Sequence, residues 1–198
     1  MLTEAQIDRY ARHILLREVG GIGQERLLAS TVAVEGLEAG GWLVAWLALA
    51  GVGRLLLDDA AAVSAADLAP LLSAADRGRR RDEALAAAIP AFNPDTAAAV
   101  GRGEAALRIR AGLPDGAADA GVIHWAARGD EAVVVPPGAR LCPACAAALP
   151  AAPAAPAAAS LAGSLAGAEA LIHLLGRADG PRPVQHFRGG EPVRCDHG

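Results

Sequence analysis

The chain has 198 residues, a mass of 19.9 kDa and a formal net charge of −4, and 53% of its residues are hydrophobic. This is enough apolar sequence for one folded domain without disulfides, and the acidic balance argues against nucleic acid or an anionic membrane as a partner. All 18 basic residues are arginine, which excludes a Schiff-base lysine and the lysine of a P-loop.

The start of the chain does not resemble a secretory signal, because it lacks an apolar run behind a basic start. The longest apolar stretch, residues 41–53, is shorter than the ~20 residues that span a bilayer, and prolines interrupt the Ala-rich stretch 144–161. We therefore expect a cytoplasmic protein whose cysteines are metal ligands or reduced thiols.

The first predicted element is an amphipathic helix over residues 3–16. Ile7, Tyr10 and Ile14 recur at helical spacing and share one face. Thr3, followed three residues later by Gln6, is typical of a capping box at the start of a helix.

A βαβ unit follows between residues 31 and 59. β-Branched residues predict a strand over 31–34, glycines predict a turn over 36–41, and apolar residues predict a helix over 42–50. A second strand, 54–57, ends at two aspartates. Because the strands of such a unit are parallel, we expect an α/β fold with a Rossmann-like, mostly parallel sheet flanked by helices.

The rest of the chain predicts two more helices and several strands. One helix, over 76–91, begins with several arginines, and the last helix covers 160–175. The other segments are weak strands at 96–99 and 107–110, stronger strands at 121–125 and 132–135, a cysteine knuckle at 142–145, an extended Pro/Ala connector at 150–156 and a tail with a short strand near 184–187. We divide the single domain, 1–198, into a helical arm (1–30), a Rossmann-like core (31–140) and a C-terminal region (141–198).

The glycine-rich turn departs from the pattern that binds nucleotide phosphates. That pattern is Gly-x-Gly-x-x-Gly, because side chains in the turn collide with the phosphate. Here the turn is Gly36-Leu37-Glu38-Ala39-Gly40-Gly41, so Glu38 replaces the middle glycine. A carboxylate ~4 Å from a phosphate charge costs about 4 kcal/mol at an effective dielectric constant near 20, or roughly a thousandfold in affinity. Taken alone, the turn is better explained as a structural connection between strand and helix than as a phosphate-binding loop. Asp59 either accepts a hydrogen bond from a ribose or only ends its strand.

The order of motifs along the chain resembles the ubiquitin-activating-enzyme-like family (ThiF/MoeB/HesA). The segment 9–16, Arg-Tyr-Ala-Arg-His-Ile-Leu-Leu, matches the opening R-Y-x-R-[HQ]-I-x-L of that family, and 23–27 matches its G-Q-x-x-L. Further matches follow in the order of the family at 50–53, 63–68, 78–81, 92–94, 142–145 and 160–175. The resemblance covers nearly the whole chain.

Members of this family adenylate the C-terminal glycine of a ubiquitin-like or sulfur-carrier protein with ATP and Mg²⁺. The resemblance therefore implies a nucleotide site, which in this chain falls on Gly36, Gly40, Gly41, Asp59 and Arg81. It also implies that a ubiquitin-like or sulfur-carrier protein is the partner.

Several positions that hold ATP in the family are altered in this chain. Besides Glu38, Ala61 stands where the family has a second acid, and Pro70 stands where it has an arginine. Arg81 replaces a lysine, which keeps the charge but not the ammonium geometry. The segment of the magnesium-binding aspartate has no match. The resemblance thus implies a vestigial site in which ATP and Mg²⁺ are not expected to bind tightly.

The resemblance also bears on association. In family dimers the second arginine of the opening motif reaches the ATP of the partner subunit, and Arg12 is the matching residue; the other interpretation is a solvated surface arginine. The predicted helix 42–50 is apolar nearly all round, so either a second subunit or the last helix must cover it. We expect a homodimer, or a heterodimer with an intact homologue, with Arg9 and Arg12 near the interface.

Three cysteines and a histidine form a candidate zinc site. Cys142 and Cys145 match the first zinc knuckle of the family, and Cys195 with His197 stands near its second cysteine pair. A Cys₃His set is a usual structural zinc composition, and His186 is the alternative fourth ligand. The other interpretation is a vestigial knuckle with free thiols.

Three functions follow from these observations, in order of preference. The first is a degenerate, adenylation-defective family member that serves as a partner subunit or binds a ubiquitin-like tail. The second is an active adenylyltransferase with a divergent site, in a thiamine, molybdopterin or peptide-product pathway. The third is a dinucleotide-binding oxidoreductase, in which Glu38 is equally unfavourable and the opening motif has no role.

Overall fold

Two helices form the N-terminal arm. α1 (Glu4–Ile14) begins after Thr3, whose hydroxyl accepts from the backbone N–H of Gln6, while the Gln6 side chain accepts from the Thr3 N–H. The predicted capping box is therefore confirmed. α2 (Gly20–Leu28) follows after a short turn. The computed structural model describes residues 1–37, 41–68, 70–178 and 180–195.

The predicted βαβ unit is confirmed to within one residue at each end. It consists of β1 (Thr31–Glu35), α3 (Gly41–Leu49) and β2 (Arg54–Asp58). β1 and β2 pair in parallel, and their central residues are buried. The remaining elements are α4 (Arg81–Phe92), β3 (Ala97–Val100), β4 (Leu107–Ala111), β5 (Val122–Arg128), β6 (Glu131–Val135), α5 (Pro143–Ala147), α6 (Pro156–Leu174), β7 (Gln185–Arg188) and β8 (Glu191–Pro192).

The described part of the chain forms one sheet with the strand order β3-β2-β1-β4-β5-β6-β7-β8. The first five of these strands are parallel, and β6, β7 and β8 continue the sheet in antiparallel fashion. The α/β, Rossmann-like prediction is confirmed. The strand order reverses direction between β1 and β4, which is the point where such sheets bind ligands.

The prediction of a helix over 76–91 is wrong at its start. α4 begins only at Arg81, because Gly78 adopts a φ of +81° and Arg80 is extended. Arg80 instead forms an isolated β-bridge with Ala62. The arginines before Arg81 therefore lie in an irregular segment, and Arg81 alone is held in the first turn of the helix.

The last helix begins earlier than predicted and covers α3. α6 starts at Pro156, and its glycines let the two helices approach closely. A Cβ on Gly163 would lie 3.2 Å from the Leu43 nitrogen, and one on Gly167 would lie 3.2 Å from the Trp46 Cβ. The last helix therefore covers part of α3, while Trp46 and Leu49 stay 43% and 46% exposed. The prediction of a dimer stays a prediction.

The composition and length of α6 would also allow it to cross a membrane, but 50% of the relevant window is buried inside the protein. Its apolar residues pack on α3 and on the sheet, chiefly on β5 and β6. This packing accounts for the hydropathy of the helix.

The connection from β3 to β4 crosses the sheet without a helix. We call residues 101–106 the strap, since they run from the edge strand past β2 and β1 to reach β4. A Cβ on Gly103 would stand 2.9 Å from the Leu56 Cδ1, so the strap lies directly on the sheet. Arg108 donates to the Gly103 carbonyl at 2.8 Å, and Arg102 pairs with Asp58. The strap and the arginine stems cover a face that helices cover in other doubly wound folds.

The opening motif docks the arm onto the core. Tyr10 is buried, and its hydroxyl accepts from the Asn93 amide at 2.9 Å. The Asn93 amide also donates to the carbonyl of Ala48, and Gln24 donates to the carbonyl of Ala50. Gly51, with a φ of +81°, fits between them, because a Cβ there would lie 2.7 Å from both Tyr10 and Gln24. Motifs far apart in sequence therefore build one buried contact.

Replacing Gly53 by alanine is expected to destabilise the protein by at least about 2 kcal/mol, because the new Cβ would lie 1.8 Å from the carbonyl oxygen of Leu28. The matched control is Gly21→Ala, in open space within α2, which should stabilise by about 0.5–1 kcal/mol. Urea unfolding measures both. Equal free energies of unfolding for the two variants would contradict the close packing at Gly53.

Candidate nucleotide site and cysteine cluster

The glycine turn after β1 is packed tightly against β4. Gly36 has a φ of +75°, and a Cβ on it would lie 2.8 Å from the Ala111 Cβ. Gly41 is the first residue of α3 and is buried. Glu38 and Gly40, two of the residues singled out in the turn, lie outside the described residues. A side chain at Gly36 would therefore collide with β4.

Asp59 accepts three hydrogen bonds from groups of the protein. One carboxylate oxygen accepts from the Leu37 N–H at 2.7 Å and from Arg81 at 2.6 Å, and the other accepts from the Ala61 N–H at 2.9 Å. The side chain is only 11% exposed. These contacts join the turn, the end of β2 and α4.

Arg81 lies between two carboxylates. Besides Asp59, it approaches Asp67 with its Nε at 3.0 Å, and the exposed fractions are 12% for Arg81 and 4% for Asp67. Burial alone would raise the pKa of Asp67, but the hydrogen bonds from Ser64 and the charge of Arg81 outweigh it and hold the pKa below its usual range. The charge of Arg81 is thus neutralised within the fold.

A second ion-pair cluster stands at the switch point itself. Glu35 ends β1, and its two oxygens accept from Arg108 and Arg110 of β4, each at 2.9 Å. Burial acts to raise the pKa of Glu35, but the hydrogen bonds and charges of the two arginines lower it overall. Sequence reasoning treated 107–110 as a weak strand and missed this cluster. The sequence signal for this cluster was the alternation Leu-Arg-Ile-Arg, which gives the strand one buried apolar face and one charged face.

A cavity of about 430 Å³ opens beside Arg81. Ser64, Asp67 and Arg128 also line it, together with residues 151–154 of the Pro/Ala connector. The connector, predicted as semi-extended, bends at residues 151–152 and ends at Pro156, where α6 begins. It is held by Gly129, whose carbonyl accepts from the Ala155 N–H at 2.6 Å. The cavity combines cationic side chains with an apolar wall, a composition suited to a small anionic ligand.

The remaining residues that the sequence analysis considered for the nucleotide site are uncharged or lie on the N-terminal arm. Ala61 and Pro70 supply none of the charges that the family uses. Arg12 is exposed on α1 and, within the described ranges, makes no hydrogen bond or ion pair. Arg9 instead pairs with Asp95 at 2.9 Å and helps dock the helix.

The three cysteines come together although Cys195 is distant in sequence. The sulfur atoms of Cys142, Cys145 and Cys195 all lie within 4.8 Å of one another. Thiolates on one tetrahedral zinc stand about 3.8 Å apart, so the cluster fits three of the four ligands. The backbone N–H of Cys145 is the main factor that lowers the pKa of Cys142 to about 7, which favours the thiolate that a metal binds. Burial raises the pKa of Cys145 to about 11.

His186 is not among the described residues whose ligand atoms converge with the three cysteine sulfurs. Its Nε2 lies 2.5 Å from a carboxylate oxygen of Glu131 on β6, and both side chains are buried. The cluster as described thus gives no support to His186 as the alternative fourth ligand. His197, the preferred residue, lies outside the described residues.

Replacing Arg81 by methionine is expected to destabilise the protein by about 3 kcal/mol near pH 7, because two buried carboxylates lose their counter-charge. Arg102→Met is the matched control, since Arg102 is 74% exposed beside Asp58 and its loss should change the free energy of unfolding little. Chemical denaturation measures both.

The difference between wild type and Arg81→Met is expected to shrink below about pH 4. The pKa of Asp67 is lowered in the folded state, so the stability it contributes is present above its unfolded pKa and is lost as the pH falls through the folded value. A constant difference from pH 7 to pH 3 would contradict the ion-pair assignment.

About one zinc per chain is expected after purification without chelator. Cys145→Ser should reduce the zinc content to below about a tenth of an equivalent, because it removes one thiolate of the cluster. His186→Asn serves as the control and should retain the metal. Plasma emission spectrometry gives the stoichiometry, and a wild-type protein free of zinc would overturn the assignment.

Comparison with known proteins agrees with this architecture. Residues 10–106 match the profile described as the ThiF family. The chain is similar to the SAMP-activating enzyme E1 of Haloferax volcanii, 40% identical over 99 residues, which cover 48% of this chain and 36% of that protein. It is also similar to the vegetative HesA protein of Trichormus variabilis, 46% identical over 57 residues, or 28% of this chain and 22% of that protein. The matched parts thus span about a third or less of these two relatives.

Solved structures show the same fold. The crystal structure of E. coli MccB with AMPCPP and MccA superimposes with a TM-score of 0.72 at 18% identity, over 94% of this chain and 70% of that one. PaaA gives a TM-score of 0.70 at 20% identity, over 94% and 71%. With the opening motif, the parallel sheet and the profile match in agreement, residues 10–106 form a ThiF family domain, and the chain is similar to proteins of the ThiF/MoeB/HesA family.

Proposed function

We propose that this chain is a degenerate member of the family that works as a partner subunit or carrier-binding protein and does not itself adenylate. One observation carries this proposal: the charged groups at the carboxyl ends of β1 and β2 neutralise one another. Arg81 is held by Asp59 and Asp67, while Glu35 is held by two arginines of β4.

A nucleotide at this edge would need free cations and free backbone N–H groups for its phosphates. Arg81 is already shared between two buried carboxylates, and the Leu37 N–H already donates to Asp59. To bind ATP, the protein would have to break these contacts and leave buried carboxylates without a counter-charge, which is costly.

The names of the relatives indicate the class of partner. One is a SAMP-activating enzyme, and another is the bovine adenylyltransferase and sulfurtransferase MOCS3. We take the partner to be a ubiquitin-like or sulfur-carrier protein, or an intact family homologue. In a homodimer or heterodimer, Arg12 is exposed and available to reach the site of the other subunit. A zinc at the cysteine cluster would have a structural role and would tie the tail to the knuckle.

An active adenylyltransferase is the second candidate, and the cavity beside Arg81 favours it. Its volume of about 430 Å³ and its lining by Arg81 and Arg128 suit a small anionic ligand. This function would require Arg81 to leave at least one of its two carboxylates when ATP binds. The two candidates therefore differ in nucleotide affinity.

The isolated chain is expected to bind Mg·ATP with a Kd weaker than about 1 mM, because the cationic groups at the site are already paired. Isothermal titration calorimetry tests this, with ATP–pyrophosphate exchange in the presence of candidate carrier proteins as a second readout. A micromolar Kd would reject the degenerate assignment and favour the active enzyme. In that case Arg81→Met should abolish binding, while Arg102→Met, which changes an arginine that does not line the cavity, should not.

A further inference from the structure

A second cavity lies between the N-terminal arm and the end of α6. Its volume is about 470 Å³, within the ~300–1,000 Å³ that is usual for small-molecule sites. Residues 17–23 and Arg26 line it from the arm, and residues 175–177 line it from the end of α6 and the chain after it. None of these residues lines the cavity beside Arg81, so the two sites are separate.

This second cavity is cationic, although the chain as a whole has a formal net charge of −4. Its lining includes three arginines, Arg17, Arg26 and Arg177, against one carboxylate, that of Glu18. Glu18 approaches Arg17 at 3.8 Å, but both side chains are exposed to water, which weakens such a pair. Within the described ranges, neither Arg26 nor Arg177 forms an ion pair with a carboxylate.

These two arginines are held in place by backbone carbonyl groups instead. Arg26 donates from its Nη1 to the Leu175 carbonyl at 2.8 Å, and Arg177 donates from its Nε to the Glu18 carbonyl at 3.3 Å. A guanidinium has five N–H donors, so each group keeps donors for a further acceptor. A carbonyl positions a guanidinium without neutralising its charge. The arrangement differs from that of Arg81, which two buried carboxylates neutralise.

Glycines make room for the guanidinium and for a ligand. Gly176 has a φ of +66°, and a Cβ on it would lie 2.8 Å from the Nη1 of Arg26, so a side chain there would displace the guanidinium. Gly20 and Gly21 also line the cavity, and a Cβ on either would stand in open space. The cavity is therefore open beside its cationic groups.

We propose that this cavity binds a small anion that carries a phosphate group. The guanidinium groups of Arg26 and Arg177 hold the phosphate, and the exposed Arg17 adds charge at the rim. Guanidinium groups fit this role because their planar array of N–H donors matches the oxygens of a phosphate. Ile22 and Leu175 supply apolar surface in the same cavity for the organic part of a phosphate ester.

Isothermal titration calorimetry of the full chain tests the site, with inorganic phosphate and glycerol 3-phosphate as probes at about 0.15 M chloride. The wild type should bind at least one probe with a Kd below about 1 mM. Arg26→Gln and Arg177→Gln should each raise that Kd at least about tenfold, because each removes a charged donor. Arg102→Gln is the matched control, since Arg102 is an exposed arginine that does not line this cavity.

A second pair of variants changes the charge of the cavity without altering an arginine. Gly21→Glu places a carboxylate in open space within the lining, and Gly21→Gln places a neutral side chain of the same size there. The Kd of Gly21→Glu should exceed that of Gly21→Gln at least about fivefold, because only the carboxylate repels an anion. This comparison decides the question if circular dichroism shows that an arginine variant does not fold.

The two probes distinguish the sources of the phosphate group. A lower Kd for glycerol 3-phosphate assigns the cavity to an ester, and a lower Kd for inorganic phosphate assigns it to the free ion; both results support the site. Absence of binding by either probe overturns the proposal. Binding that Arg26→Gln, Arg177→Gln and Gly21→Glu leave unchanged, or that Arg102→Gln weakens equally, also overturns it. Such a failure leaves the proposed function untouched, because neither probe contains a nucleotide and Arg81 does not line this cavity.

Discussion

The ion pair of Arg81 with Asp59 and Asp67 is the interaction on which the candidate site depends. It links the end of β2, the short turn at Ala65–Asp67 and the first turn of α4. Because the three side chains are nearly buried, separating the charges would leave carboxylates without compensation in a medium of low dielectric constant. The same contact that holds these elements together also uses the cation that a phosphate would need.

Ion pairs between buried and half-buried side chains also hold the switch point together. β4 lies next to β1, where a ligand crevice is expected, but its two arginines hold Glu35. The strap replaces a crossover helix, and the arginine stems cover what a helix would cover. The sheet keeps the strand order of a doubly wound fold, and ion pairs lie at its switch point. The cysteine cluster differs from these ion-pair clusters, because its three sulfur atoms converge in an arrangement suited to a metal ion.

Much of the fold was predictable because it rests on local patterns. The capping box at Thr3, the βαβ unit and the last helix follow from spacing, turn residues and apolar periodicity. The errors lie where local patterns compete with tertiary contacts. The arginines before Arg81 have good helical propensity, yet Gly78 and the bridge from Arg80 to Ala62 keep them out of the helix. β4 was a weak prediction because alternating arginines resemble a surface strand, whereas it lies inside the sheet.

The sequence by itself determined the family, the order of the elements and which site positions had changed, because motifs and their spacing are one-dimensional properties. Only the tertiary structure decided which charges meet. Glu35 and Arg110 are far apart in sequence, and strand register brings them to 2.9 Å. The structure likewise places His186 beside Glu131, 55 positions away in sequence, and it places β3 at an edge of the described sheet. Pairing of this kind depends on distances that the folded chain sets, and a sequence does not contain them.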